Sequence, residues 1–166
     1  GQPVVVGVQN LRPWVHKSPW GSKTLGGDTG QMFAVTAMAD GDVVAVGTQG
    51  GQGVVWRLDS AGQTLWTQEV GGTGQEELLD VVAMSDGDVI AVGSSTSSGE
   101  RWSDVLVVRI GPTGAVVWAR TLAGADDETG HSLAQLAGGD LMVAAESRTV
   151  ATWTGAWVNI DTAGFL

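Results

Sequence analysis

Residues 66–117 read WTQEVGGTGQEELLDVVAMSDGDVIAVGSSTSSGERWSDVLVVRIGPTGAVV, and this stretch decides the fold because its pattern recurs on both sides of it. Trp20, Trp66 and Trp118 each open a copy, at intervals of 46 and 52 residues. Three landmarks hold one register. The turns Asp40-Gly41-Asp42, Asp86-Gly87-Asp88 and Gly138-Gly139-Asp140 coincide, as do Gly62, Gly114 and Gly164. Ahead of those glycines stand Trp56-Arg57-Leu58, Val108-Arg109-Ile110 and Val158-Asn159-Ile160. Self-similarity at such a period marks an architecture whose units bury their faces only against one another.

Each unit holds short Val-rich runs separated by Asp-Gly or Gly-Gly, the signature of β-hairpins. No window carries a helical stripe. With successive strands antiparallel, the Asp-Gly turns and the turns at Gly62, Gly114 and Gly164 fall at one end. The longer links fall at the other: those near Asp28, Glu76 and Asp126, and the segments TQGGQG, SSTSSGERWSD and SRTVATWTG. Tight turns at one end with uneven loops at the other is how a rigid scaffold presents a binding surface. Residues 1–19, with Pro3, Pro13 and Pro19, fit the repeat loosely and are read as an arm or as the tail of a preceding blade. The repeats proper are 20–65, 66–117 and 118–166.

Composition narrows the function. The 166 residues are 43% hydrophobic and only 16% charged, with 26 glycines, which suits one domain, or one piece of a larger one, built of strands and tight turns. A net charge of −10 with eight Lys plus Arg argues against a nucleic-acid partner, whose phosphates demand basic side chains. The absence of cysteine excludes disulfides, thiolate metal sites and thiol nucleophiles. Apolar runs such as VLVVRI fall far short of a membrane span, and the start GQPVVVGVQN has no charged leader region.

The Trp strand, the Gly-Gly, the acidic loop, Asp-Gly-Asp, the AVG strand and the Asp-Val-Leu-Val-Val-Arg strand together resemble the Trp-anchored β-propeller repeats of bacterial and archaeal secreted or surface proteins. LDSAGQTLW is also similar to the quinoprotein-like propeller repeat. The resemblance implies an all-β fold of four-stranded antiparallel blades around a channel. It implies about three blades, as a partial ring or as half of a dimeric six-bladed ring, with the Trp20–Leu25 strand completing the blade that ends near Leu166. The alternative is a β-trefoil, which also repeats four strands three times, although Gln63 stands three places before Trp66 rather than the two that fold favours. The resemblance says nearly nothing about activity, since propellers host unrelated chemistries.

Candidate chemistry collects at the long-loop end. Trp20, Trp66 and Trp118 recur at one position and read as packing residues. Trp102 and Trp153 stand in the links between second and third strands, among Ser, Thr and Gly, where a ring can stack on a sugar or clamp a peptide, or else cap a neighbouring loop. Arg101 lies beside the first of them. Asp126, Asp127 and Glu128 offer hard oxygen ligands, so Ca²⁺ is the one cofactor considered, against a solvated acidic rim. The Asp-Gly-Asp turns are read as hairpin chemistry alone. His131 beside Ser132 has the residue types of a hydrolase, but neighbours on a strand point to opposite faces. The expectation is a non-enzymatic module, extracellular, surface-borne or periplasmic, that binds a protein or glycan through Arg101, Trp102, Trp153, Asp126, Asp127 and Glu128. A carbohydrate-binding lectin and a metal-dependent enzyme using the acidic loop are the alternatives. A homodimer or a place in a larger chain is expected for such an open ring.

Overall fold

The Val-rich runs pair as antiparallel hairpins, and four sheets result. The computed structural model describes residues 3–27, 29–97, 102–124, 126–148, 153–161 and 164, with backbone alone for 153–159. The first sheet holds β1 (Val4–Gln9), β2 (Arg12–Lys17) and β3 (Gly21–Thr24). The second runs β4 (Gly30–Ala37), β5 (Val43–Gln49), β6 (Gln52–Leu58), β7 (Thr64–Val70). The third runs β8 (Glu76–Ala83), β9 (Val89–Ser95), β10 (Asp104–Ile110), β11 (Val116–Leu122). The last holds β12 (Asp127–Gln135), β13 (Leu141–Arg148) and β14 (Trp153–Ile160). Among the described residues there is no helix, and hence none able to cross a membrane.

The fold is all-β, with blades of the propeller type. Each pair of successive sheets buries one apolar layer: Val15 and Leu25 against Ala45, Val54 and Trp56; Val44, Val46 and Val55 against Ala91, Leu106 and Val108; Ile90, Val92 and Val107 against Leu133, Leu141 and Val143. Alternating side chains point to opposite faces of a strand, so β5, β6, β9 and β10, apolar at nearly every position, supply two layers at once. That consecutive face-to-face stacking of sheets is incompatible with the trefoil alternative.

The Trp strand closes each unit and staples it to the next. Trp66 on β7 lies over Gly114, where a Cβ would come within 3.0 Å of its ring, and its indole N–H donates to Pro112 O at 2.9 Å. Trp20 does the same over Gly62, with Nε1 donating to Ser60 O at 2.7 Å, and Trp118 lies over Gly164. The expected packing role of these rings is therefore an inter-sheet one, and it needs glycine on the receiving turn.

Two expectations change. The strand after Trp20 does not complete the sheet of β14: β3 pairs with β2, with Trp14 opposite Thr24 and Lys17 opposite Gly21. Residues 4–17, read as an arm or as the tail of a preceding blade, form a hairpin of the first sheet whose register repeats that of β5–β6. Gln9 faces Arg12 across Asn10-Leu11 as Gln49 faces Gln52 across Gly50-Gly51, and all four linking residues have positive φ. A glycine at the second linking position announces such a turn in sequence, and Asn-Leu lacks it. The other change concerns the Asp-Gly-Asp turns, which do more than turn. Arg57 Nη2 donates to Asp40 at 2.6 Å and Nε to Asp42 at 2.9 Å, and Arg109 grips Asp86 and Asp88 at 2.6 Å each. Arg57 also donates to Pro112 O at 3.3 Å, tying its sheet to the next.

Candidate functional site

The antiparallel order gathers the links β3–β4, β5–β6, β7–β8, β9–β10 and β11–β12 at one end, opposite the Asp-Gly turns. Local hydrogen bonds hold these links. Glu76, buried at the start of β8, accepts from Gly72 N at 3.2 Å, from Ser95 Oγ at 2.9 Å and from Ser97 Oγ. Glu128 occupies the same place in the last sheet and accepts from Gly124 N at 3.0 Å and Ser147 Oγ at 3.1 Å. A carboxylate that accepts backbone N–H and hydroxyl bonds locks a loop onto a strand start. In the second sheet the Gln49 amide stands against Gly26 instead.

These bonds sort the sequence-derived residues. Asp127 Oδ1 accepts from Ser103 N at 3.0 Å and Ser103 Oγ at 3.2 Å, and Glu128 N donates to Ser103 O at 2.7 Å. The segment bearing Trp102 is thereby clipped to the start of β12, so Trp102, Asp127 and Glu128 do come together. The Trp102 side chain stays 37% exposed, Asp126 is half-buried, and Glu128 is turned inward as a loop lock. Trp153 is not in a link: it is the first residue of β14, opposite Arg148, which itself faces Asp127. Its side chain and Arg101, like Asp28, lie outside the described residues. Among the described residues no three His, Cys, Asp or Glu side chains converge as a metal site.

A cleft that sequence reasoning missed lies at the same end, between the second and third sheets. It measures about 300 Å³ and is lined by Thr48, Gly51, Gln75, Glu76, Glu77, Ser94 and Thr96. Thr48 Oγ1 donates to Gln52 O at 3.1 Å, or to Glu76 O at 3.2 Å, bridging the two sheets at its floor. Ser94 Oγ donates to Glu77 Oε1 at 3.4 Å, and Gln75 N donates to Thr96 Oγ1 at 2.8 Å. Carboxylate, amide and hydroxyl groups around an open cleft provide donors and acceptors for a polyhydroxylated ligand. Beyond it, a smaller recess of about 150 Å³ between third and fourth sheets is walled by Val105, Leu122, Val143 and Ala145, with Glu128 and Glu146 at its rim. Glu146 Oε1 stands 3.3 Å from His131 Nε2. His131 sits at a β-bulge shared with Phe33 and Leu79 at the matching places of β4 and β8, while Ser132 Oγ turns away to donate to Asp80 Oδ2 at 2.7 Å. The two residues do not form a hydrolytic pair.

No protein-family model matches the chain, and no curated protein matches it. Among solved structures, the chain is similar to an endo-arabinase from Bacteroides thetaiotaomicron, with a TM-score of 0.58 and 16% identity over 100% of this chain and 74% of that one. A protein of unknown function from Bacteroides caccae matches at 15% identity with a TM-score of 0.49, over 98% of this chain. The chain spans 62% of that protein's length. These likenesses concern the fold. The endo-arabinase likeness alone overturns the expectation of a non-enzymatic module, because that structure, which shares the fold over the whole of this chain, is an enzyme.

Proposed function

We propose that this chain is a carbohydrate-directed β-propeller module of an exported or surface protein, which takes a glycan at its loop end. The observation that carries the reading is the cleft between the second and third sheets, where Thr48, Gln75, Glu77 and Thr96 present hydroxyl, amide and carboxylate groups and the buried Ser94 holds Glu77 from behind. Sugar hydroxyls both donate and accept, and such a mixed lining pairs with them without burying an unsatisfied group. Trp102, exposed on the neighbouring loop, supplies a flat apolar face of the kind that stacks on a pyranose or furanose ring. The endo-arabinase likeness supports the same substrate class.

The test is a glycan array that includes arabinan fragments, followed by calorimetry on the best binder, with released reducing ends measured in the same samples. The expected result is saturable binding that weakens about tenfold, equivalent to about 1.4 kcal/mol, in Glu77→Gln and in Trp102→Ala. Absence of binding across the array, or binding that neither substitution alters, sinks the reading.

A further inference from the structure

The polar cleft between the second and third sheets has a counterpart one junction earlier, and the two differ in chemistry. A recess of about 320 Å³ between the first and second sheets is lined by Val8, Leu11, Thr29, Gly30, Gln31 and Thr48. Register makes the two spaces equivalent. Gly30 and Gln31 face Gln49 and Thr48 across β4–β5 as Glu76 and Glu77 face Ser95 and Ser94 across β8–β9. Gly30 N donates to Leu11 O at 2.9 Å, as Glu76 N donates to Gly51 O at 3.0 Å. Val8 and Leu11 therefore hold the places of Thr48 and Gly51, and Gln31 holds that of Glu77. The differences all run one way: a methyl for a hydroxyl, an isobutyl group for a hydrogen, a neutral amide for a carboxylate. Among the described residues no charged side chain lines the earlier recess.

Val8 belongs to this junction and not to the outer face of the first sheet. Side chains alternate along a strand, and Val4 and Val6, in the same row as Val8, pack against the second sheet. Val8 is nonetheless 51% exposed and Leu11 71%. Leu11 also keeps a left-handed backbone, with φ 63°, where its counterpart Gly51 has no side chain to clash. A strained leucine turned to solvent adds little to packing, and strain of this kind collects at ligand clamps. Thr48 lines both spaces, so they adjoin at one residue. We infer that the recess receives an apolar substituent, an O-acyl or aryl group, carried by the glycan that occupies the polar cleft; this rests on the glycan reading above. Stacked sheets lie about 10 Å apart, so a short oligosaccharide reaches from one junction to the next. A bare sugar against Val8 and Leu11 would leave hydroxyls facing methyl groups, whereas an acyl or aryl group there gains the free energy of apolar burial.

The test is a glycan array on which each oligosaccharide is printed plain, with an O-benzoyl group on its non-reducing end, and with an aryl aglycone on its reducing end, followed by calorimetry on the best set. The better of the two substituted forms is expected to bind about tenfold more tightly than the plain form. The double variant Val8→Thr with Leu11→Gly gives the recess the side chains of its counterpart. It removes that gain and leaves the affinity for the plain form unchanged, while Glu77→Gln weakens all forms. Plain and substituted forms that bind alike, a gain that survives the double variant, or a double variant that weakens every form equally overturns this inference and leaves the glycan reading standing. Binding of no form by the unaltered protein overturns both.

Discussion

A single side chain, Arg57, shows how much of this fold rests on polar contacts that recur. Its guanidinium, with the side chain 10% exposed, holds two aspartates of its own sheet and a carbonyl of the next. Arg57→Ala strands Asp42, whose side chain is 13% exposed, and is expected to cost about 3 kcal/mol in urea denaturation, the scale for breaking a largely buried ion pair. The pairing leaves a trace in the sequence. Asp-Gly-Asp is matched by Arg57 and Arg109 in two repeats, and where Gly138 replaces the first aspartate, Asn159 replaces the arginine. Loss of both partners together is the mark of a pair. The glycines separate two causes in the same way. Gly41 has φ +92 and nothing within 3.9 Å of a built Cβ, whereas Gly62 has φ +77 and the Trp20 ring at 2.7 Å. Gly41→Ala is expected to cost about 1 kcal/mol for the left-handed backbone alone. Gly62→Ala should cost at least about 1 kcal/mol more, and equal losses in the two variants refute the Trp ledge.

Among the elements, the β1–β2 hairpin was the least legible. Its linking residues Asn10 and Leu11 have φ of 53° and 63°, and Leu11 is 71% exposed. A leucine pays for this geometry where the equivalent Gly51 does not. Leu11→Gly is therefore expected to raise stability by about 1 kcal/mol and to raise the melting temperature. A lower melting temperature indicates that the exposed leucine is held by contacts that outweigh its backbone strain. The Val-rich strands themselves could be read directly, because turn residues and a period of two are local signals. Where the Trp strand packs could not, since its glycine ledge lies in the following repeat. The acidic residues were placed at the correct end, but sequence does not tell a carboxylate that locks a loop from one that faces a ligand. Glu76→Ala should loosen the link to β8 and cost about 2 kcal/mol, as removal of a buried charge-assisted acceptor does. An unchanged denaturation midpoint would contradict that role.

For the whole molecule, the repeat period established stacked sheets, yet the count and the closure depended on contacts far apart in the chain. The Trp20 strand stays with its own hairpin, so the described residues form a row of four sheets with the tight turns at one end and the links at the other. The cleft was invisible for the same reason. Thr48 comes from one repeat and Gln75, Glu77, Ser94 and Thr96 from the next, and each is an ordinary polar residue until the sheets stack. The measurement that bears most directly on the proposed role is an amide and indole shift map of isotope-labelled protein titrated with the oligosaccharide that binds it. Shifts should concentrate on Thr48, Gln75, Glu77, Ser94, Thr96 and the Trp102 indole, leaving Gly41, Gly87 and Gly139 still. Shifts centred on those Asp-Gly and Gly-Gly turns, or spread evenly over the four sheets, would contradict a binding face built at the loop end.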